Sequence, residues 1–129
     1  MSLLMLDVDH FKIINDRYGH AIGDRCLSHL AQLIMTNLQP SQRLFRYGGE
    51  EFVLLVTGGA EEAQALAERL RSEVAHTPLI REAMITVSIG VATRCSHEKL
   101  RAWMRRADDA MYEAKQQGRN RCCVAPHMN

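Results

Sequence analysis

The sequence predicts an α+β fold, a mixed α/β sandwich in which helices pack on a mostly antiparallel central sheet. Three observations lead to this prediction. Apolar residues recur at helical spacing in three long segments, two strand-like segments are joined across Gly48-Gly49 as in an antiparallel hairpin, and further strand-like segments lie between the helices. With 129 residues, 47% of them hydrophobic, the chain is long enough for one domain with its own core.

The first third of the chain predicts one strand and two helices. The apolar run from Leu3 to Asp9 is typical of a strand buried on both faces. A short helix follows over residues 11–18 and ends at Gly19. Asp24 is expected to cap the N-terminus of a second helix, which Pro40 ends. The apolar positions of that helix are Leu27, Leu30, Ala31, Ile34 and Leu38.

The rest of the chain predicts a hairpin, two helices and two more strands. The hairpin strands are Arg43–Tyr47 and Phe52–Val56, and residues 121–124 predict an edge strand. The first of the two helices has its apolar stripe at Ala63, Leu66, Ala67, Leu70 and Val74. The strand between the helices alternates Ile85, Val87, Ile89 and Val91 with Thr86, Ser88 and Gly90. The stripe of the last helix is Leu100, Trp103, Met104, Ala107, Ala110, Met111 and Ala114, and Gly118 follows its end.

Composition and charge exclude several classes of protein. Lys+Arg 16 against Asp+Glu 15 gives a net charge of +1, so no nucleic-acid partner is expected. No segment approaches the roughly 20 apolar residues that cross a bilayer, and the start lacks the features of a signal peptide, so we expect a cytoplasmic domain without membrane contact. The four cysteines fit neither a zinc site nor a disulfide framework and are expected to be free thiols. They are Cys26, Cys95, Cys122 and Cys123.

Two groups of carboxylates stand where packing does not require them. Asp7 and Asp9 end a strand that is expected to be buried, and an unpaired buried carboxylate is costly, so a compensating cation is expected. Glu50 and Glu51 follow the glycines of the hairpin, which leave room for a ligand near the backbone. If the two strands are neighbours, Asp7 and Glu50 converge on one hard cation. Oxygen-only ligands favour Mg²⁺ or Mn²⁺, which often share their coordination with substrate phosphates.

A third feature is basic. Lys115 and Arg119 are spaced i,i+4 near the end of the last helix and are expected on one face, and Lys12 could join them around a polyphosphate. Each of the three features also has a structural interpretation, as a turn carboxylate, a plain hairpin or a complement to the helix dipole. Their coincidence in one small domain favours metal-assisted nucleotide chemistry.

Several segments together resemble one known family. Arg46-Tyr47-Gly48-Gly49-Glu50-Glu51-Phe52 resembles the signature of GGDEF-type diguanylate cyclases, in the variant with Glu at the third motif position. The flanking blocks also agree and occur in family order over nearly all of the chain. They are Leu6-Asp7-Val8-Asp9-His10-Phe11-Lys12, Asn15-Asp16-x-x-Gly19-His20-x-x-Gly23-Asp24, Thr86-Val87-Ser88-Ile89-Gly90-Val91-Ala92 and, near the end, the segment from Arg106 to Asn120.

The resemblance implies a fold similar to polymerase palm and nucleotidyl cyclase domains, and condensation of two GTP molecules into cyclic di-GMP with release of pyrophosphate. By position, Asp7 and Glu50 match the side-chain metal ligands, and the Val8 carbonyl matches a further ligand. The metal is expected to be Mg²⁺ or Mn²⁺. Glu51 matches the fourth motif position and is expected to support catalysis, while Asp9 is either a second ligand or a carboxylate behind the ligands.

The resemblance also implies substrate contacts and partners. Asn15 and Asp24 match the residues that read the guanine edge, whose adjacent N–H donors an amide and a carboxylate can accept together. Lys12, Lys115 and Arg119 match phosphate contacts, and Gly48 and Gly49 match the turn beside the nucleotide. Because one domain of this family holds one GTP, a homodimer is expected for turnover, with an upstream sensory domain in the parent protein.

The sequence departs from the family pattern in two places. Gln39 and Gln42 stand where many members carry the Arg-x-x-Asp charges that grip the product. Arg69 falls where a secondary product-contacting arginine can occur, although a solvated surface role is the commoner one. The second departure is at the start, because residues 1–129 are expected to form the cyclase domain without the helix and Asp-x-Leu-Thr turn that precede the first strand in the family.

Two other functions compete with the cyclase. One is a catalytically silent GGDEF-like module that binds GTP or a regulatory partner, and the intact signature and metal aspartate argue against it. The other is a nucleic-acid polymerase palm, which needs a template-binding surface that the near-neutral charge does not supply.

Overall fold

The computed structural model describes residues 1–127 and consists of one sheet with helices on both faces. The strands are β1 (Ser2–Val8), β2 (Arg43–Tyr47), β3 (Glu51–Val56), β4 (Val87–Thr93) and β5 (Arg121–Val124), in the order β2-β3-β1-β4-β5. The helices are α1 (Phe11–Tyr18), α2 (His20–Thr36), α3 (Ala60–His76) and α4 (Leu100–Gln116). Among the strands of the described residues only β4 and β5 pair in parallel, so the predicted mixed fold with a mostly antiparallel sheet is confirmed.

Strand β1 is central because both of its faces are apolar. Leu4, Leu6 and Val8 pack in the larger core with α2 and α3, whereas Leu3 and Met5 pack in a smaller core with α4. All seven residues of the strand are buried, as the continuous apolar run predicts. Asp7 continues the series of Leu3 and Met5, so its side chain lies on the same face of the sheet as α4.

Helix α4 crosses the sheet very close to β4. A Cβ atom at Gly90 would lie 2.1 Å from the backbone oxygen of Ala107 and 2.3 Å from the backbone nitrogen of Met111, so only glycine fits there. The helix ends in a Schellman motif, in which Arg119 N donates to Ala114 O and Gly118 has a φ of +124°. This close crossing carries the last turn of α4 past the end of β1.

Most elements match their predictions, but several boundaries were wrong. Helix α2 begins at His20, so Asp24 lies inside the helix and is not its cap. The reason is Gly19, which ends α1 with a φ of +91° and accepts from Gly23 N, so that α2 starts without a linker. Strand β4 begins only at Val87, which leaves the buried Ile85 outside it.

The stripe predicted for α2 was wrong at its end, because the helix ends at Thr36 and both Leu38 and Pro40 lie beyond it. The buried residues of α3 are Ala63, Leu66, Ala67, Leu70 and Val74, the predicted five. In α4 the predicted face is buried except at Leu100 and Met104: Leu100, which is 59% exposed, is the first helical residue, and Met104 is half-buried. All four cysteines are free, as predicted.

A candidate nucleotide and metal cleft

An open cleft of about 740 Å³ lies where the end of β1 meets the β2–β3 turn, the α1–α2 pair and the end of α4. We call it the cleft. Its lining residues are Asp7, Phe11, Lys12, Asn15, Asp24, Leu27, Arg46, Gly49, Glu50, Glu51 and Lys115. Eight of the predicted ligand and substrate residues, Gly49 included, therefore line the cleft. They come from β1, α1, α2, β3, α4 and the β2–β3 turn.

Strand pairing explains why the two groups of carboxylates meet. In the antiparallel pairing of β1 with β3, Asp7 is opposite Glu51, and Glu51 is also opposite Tyr47 at the start of the hairpin turn. Glu50 therefore lies in the turn beside the end of β1. Arg46 fixes that turn, because its Nη2 and Nε donate to Gly49 O at 2.6 and 3.2 Å. The register shows that the two strands are neighbours, and Asp7 and Glu50 line the same cleft.

Asp7 is the most buried carboxylate of the cleft. It is 4% exposed, and its Oδ2 accepts from Lys115 Nζ. Its Oδ1 is buried and has no hydrogen-bond partner among the described residues. Burial raises the pKa of Asp7 above its usual value, although the hydrogen bond and the charge of Lys115 oppose this shift. One carboxylate oxygen is therefore left for a ligand that the protein does not itself supply.

The two glutamates add negative charge around the same point. Burial and the charge of Asp7 raise the pKa of Glu50, and burial, Asp7 and Asp108 raise the pKa of Glu51. The free oxygen of Asp7 and this excess of carboxylates fit a hard divalent cation held by oxygen ligands. In residues 1–127 no three His, Cys, Asp or Glu side chains are grouped closely enough to form a metal cluster.

Asp9 has a different environment from Asp7. Its Oδ1 accepts from Ser88 Oγ at 2.7 Å, and its Oδ2 accepts from Thr86 Oγ1 at 2.7 Å and from Asn120 N at 3.0 Å. Both oxygens are thus occupied by the protein. Of the two roles left open for Asp9, these contacts favour the supporting carboxylate over the second metal ligand.

The residues predicted to bind the base and phosphates line the cleft in part. Asn15 and Asp24 face it from successive helices, and the buried Oδ1 of Asn15 has no partner in the described part of the chain. Lys12 is exposed at the rim and pairs with Asp16 at 3.2 Å. Lys115 reaches the cleft from the last turn of α4.

Three predicted site residues do not line the cleft. Val8 is buried in the sheet opposite Val87, and Gly48 lies in the β2–β3 turn with a φ of +71°. Arg119 was wrongly expected on one helical face with Lys115. Because α4 ends at Gln116 and the chain reverses at Gly118, Arg119 lies beyond the helix with a φ of +64°.

Phe11, Leu27 and Arg46 line the cleft without having been predicted as site residues. The first two belong to the apolar pattern of their helices, and a single arginine in a strand carries no signal of its function. The packing of α1 and α2 beside the β2–β3 hairpin brings them to the same place.

The turn before β2 satisfies its own hydrogen bonds. Gln39 N donates to Gln42 Oε1 at 2.9 Å, and Gln42 N donates to Gln39 O at the same distance. Arg69 is also engaged nearby, since its Nε donates to Asn37 Oδ1 at 3.2 Å and its Nη2 donates to Asn37 O at 3.3 Å. This arginine therefore holds the end of α2 instead of pointing freely into solvent.

None of the described helices is long and apolar enough to cross a membrane.

Comparison with known proteins gives consistent matches over this chain. A family model described as "Diguanylate cyclase, GGDEF domain" matches residues 1–121. Diguanylate cyclase A of Treponema denticola is 41% identical over 130 residues, which cover 97% of this chain and 35% of the relative. Diguanylate cyclase DgcM of Escherichia coli is 44% identical over 125 residues, covering 96% and 30% respectively. The chain thus spans about a third of the length of these relatives.

Solved structures match equally well. The GGDEF domain of DgcB from Caulobacter crescentus, solved in complex with c-di-GMP, has a TM-score of 0.90 and 38% identity, and the match covers 95% of this chain and 76% of that one. The active GGEEF domain of a diguanylate cyclase from Vibrio cholerae has a TM-score of 0.90 and 36% identity, with 98% and 83% covered.

Proposed function

This chain belongs to the GGDEF family, and on that basis we propose that it is the catalytic domain of a diguanylate cyclase, with residues 1–129 as its extent. The reaction joins two GTP molecules into cyclic di-GMP and releases two pyrophosphates. The observation that carries the proposal is the cleft, where Oδ1 of Asp7, which has no partner among residues 1–127, lies among an excess of carboxylates next to Lys115.

The acidic side of the cleft is assigned to a divalent cation, Mg²⁺ or Mn²⁺. Asp7 and Glu50 would hold it through their side chains, and Val8 would add its backbone carbonyl. When bound, such a cation neutralises charge at the α-phosphate and favours deprotonation of the attacking 3′-hydroxyl. Glu51 lies opposite Asp7 in the sheet, and its negative charge makes the electrostatic potential beside Asp7 more negative, which supports cation binding.

The basic residues are assigned to the triphosphate. Lys115 donates to Asp7 in this structure, and it becomes free for the phosphates once a cation compensates Asp7. Lys12 is 89% exposed and only weakly held by Asp16, so it can turn toward the same anion at little cost. Arg119 belongs to this proposal as a phosphate contact from outside the cleft lining. Gly48 and Gly49 leave the turn open for the nucleotide.

The α1–α2 side of the cleft is assigned to the base. Asp24 is an exposed carboxylate that can accept from the adjacent N–H groups of guanine, which adenine does not present in that arrangement. Asn15 lies beside it with its carboxamide in the cleft. A base that cannot pair with both groups binds more weakly, because the hydrogen bonds that these groups make with water are then lost without replacement.

The reaction also implies partners. One cleft holds one GTP, and each GTP must attack the α-phosphate of the other, so we propose that two copies of the domain face each other in a homodimer. We further propose a cytoplasmic location, where GTP is present, and a sensory domain elsewhere in the parent protein that controls dimerisation.

The test is nucleotide analysis after incubation of the purified protein with GTP. We expect cyclic di-GMP and pyrophosphate with Mg²⁺ or Mn²⁺ under conditions in which the protein is dimeric by light scattering. Asp7→Asn is the matched control, because it keeps the side-chain volume and removes the charge. Recovery of GTP alone from dimeric protein with either metal would contradict the proposal and favour the silent binding module.

A further inference from the structure

One residue beside the cleft has no explanation in the backbone or in the chemistry of the site. Gly23 is buried within α2, where glycine is less favourable than alanine, and its φ is outside the left-handed range that only glycine tolerates well. The backbone therefore does not require a glycine at this position. The space around it does.

The space is occupied by the side chain of Asn15. A Cβ atom at Gly23 would lie 1.9 Å from Asn15 Oδ1, 3.0 Å from Asn15 Cγ and 3.2 Å from Phe11 Cζ. The first of these distances is far below a van der Waals contact. The missing side chain thus leaves a recess on α2, the Gly23 recess, into which one end of the carboxamide of Asn15 projects from α1.

The recess fixes how Asn15 meets the cleft. The Oδ1 atom in the recess is buried and has no partner among residues 1–127, while the side chain as a whole lines the cleft. Asp24, which also lines the cleft, is the next residue along the same helix. One turn of α2 therefore supplies both the carboxylate of Asp24, which we assign to the base, and the Gly23 recess, which orients the carboxamide of Asn15.

We propose that Gly23 is a positioning residue for base selection: by providing the recess it holds Asn15 with Oδ1 turned away from the base, so that the NH₂ end of the carboxamide is the one presented to the cleft. That NH₂ group can donate to O6 of guanine, whereas adenine carries an NH₂ group at the same position, and Asp24 remains the acceptor for the N–H donors of guanine. The inference rests on the proposed binding of GTP at this cleft. A methyl group at residue 23 would displace the flexible end of Asn15, and Phe11 would shift by only a few tenths of an ångström. Gly23→Ala is therefore expected to weaken the selection of guanine without destabilising the fold.

The experiment compares binding of 3′-deoxy-GTP and 3′-deoxy-ATP, which lack the attacking hydroxyl and cannot be condensed. For Gly23→Ala we expect roughly tenfold weaker binding of the guanine analogue, the loss of about one polar contact, and unchanged binding of the adenine analogue. The thermal midpoint should not fall, because alanine is the better helix former. Ser28→Ala, an exposed change on the same helix, is the control and should alter neither affinity.

A double-mutant cycle separates positioning from a general effect on the cleft. If Gly23 acts through Asn15, then Gly23→Ala adds no further loss to Asn15→Ala, and the double variant also has room for the new methyl group. Equal weakening of both analogues, or additive losses in the cycle, would overturn the inference.

Two outcomes keep this inference distinct from the proposed function. If the unaltered protein does not prefer the guanine analogue, both fail together. If it does, but Gly23→Ala retains that preference, only the role of Gly23 fails. The NMR signals of the Asn15 side-chain amide give a readout without nucleotide, and they should shift in Gly23→Ala but not in Ser28→Ala.

Discussion

Asp7 and Asp9 lie two residues apart at the end of one strand, and both are 4% exposed, yet their surroundings differ completely. Asp9 belongs to what we call the clamp, formed with Thr86, Ser88 and Asn120, in which two hydroxyls and one backbone N–H satisfy both carboxylate oxygens. Asp7 faces the cleft, where one oxygen accepts from Lys115 and the other has no partner in the described structure.

The contrast shows that neither burial nor residue type distinguishes a structural carboxylate from a functional one. The clamp compensates a negative charge with neutral hydrogen-bond donors and ties β1 to β4 and to the segment after α4. The cleft gathers three carboxylates around one lysine, and burial raises the pKa of each of them. The carboxylate whose hydrogen bonds are complete holds the fold, and the one with a free oxygen is the one for which we propose a bound cation.

The largest expected effect tests the functional side of this comparison. Glu50→Gln removes a charge from the cleft with little change in volume, so turnover of GTP to cyclic di-GMP should fall by at least about a hundredfold. The far-ultraviolet circular dichroism spectrum should remain that of the unaltered protein. Rates close to those of the unaltered protein would remove Glu50 from the proposed set of ligands.

The second effect compares the two aspartates directly by urea unfolding. Asp9→Asn places an NH₂ group against donors in the clamp, so the free energy of unfolding should fall by about 2 kcal/mol or more. Asp7→Asn relieves the burial of a charge and leaves Lys115 near solvent, so the change should stay within about 1 kcal/mol. Equal losses in the two variants would show that the clamp and the cleft do not differ in the way described.

A third effect sharpens the assignment of the cleft to guanine. Asp24→Ala removes an exposed acceptor and should weaken GTP by roughly tenfold, about 1.4 kcal/mol, with a much smaller change for ATP. Isothermal titration calorimetry with the 3′-deoxy analogues measures both affinities. An equal loss for the two nucleotides would mean that Asp24 does not read the base.

The smallest expected effect concerns the turn at Gln39 and Gln42, where Gln39 N donates to Gln42 Oε1 and Gln42 N donates to Gln39 O. Two neutral amides also lack the ionic grip of an Arg and Asp pair. Titration of cyclic di-GMP into metal-free protein should therefore show little binding at this turn. Tight binding that persists in Lys115→Ala but is lost in Gln39→Ala or Gln42→Ala would contradict this expectation and establish a product site.

Periodicity determined much of the fold without any tertiary information. The stripe of α3, the burial of β1 on both faces and the hairpin across Gly48-Gly49 follow from spacing and turn chemistry, which are local properties. The signature and its flanking blocks also predicted the family, since many separate residues had to agree in order.

Other features depended on contacts between residues distant in the sequence. The i,i+4 spacing of Lys115 and Arg119 predicted one shared face, but the Schellman motif ends the helix between them. Asp24 had the chemistry of a helix cap, but Gly19 starts the helix one turn earlier. In both cases a glycine with positive φ, Gly118 or Gly19, sets the end of a helix, so a spacing rule that holds only within one continuous helix does not apply.

The sequence by itself determined which residues carry charge and which segments are buried, because these properties reside in side-chain type and spacing. Only the tertiary structure decided that one oxygen of Asp7 has no hydrogen-bond partner in the described structure, whereas both oxygens of Asp9 accept hydrogen bonds in the clamp. The donors to Asp9 come from β4, from the residue before it and from the residues after α4, between 77 and 111 positions away along the chain. Whether a buried polar group finds its partner is settled by packing across the sheet, which local sequence does not encode.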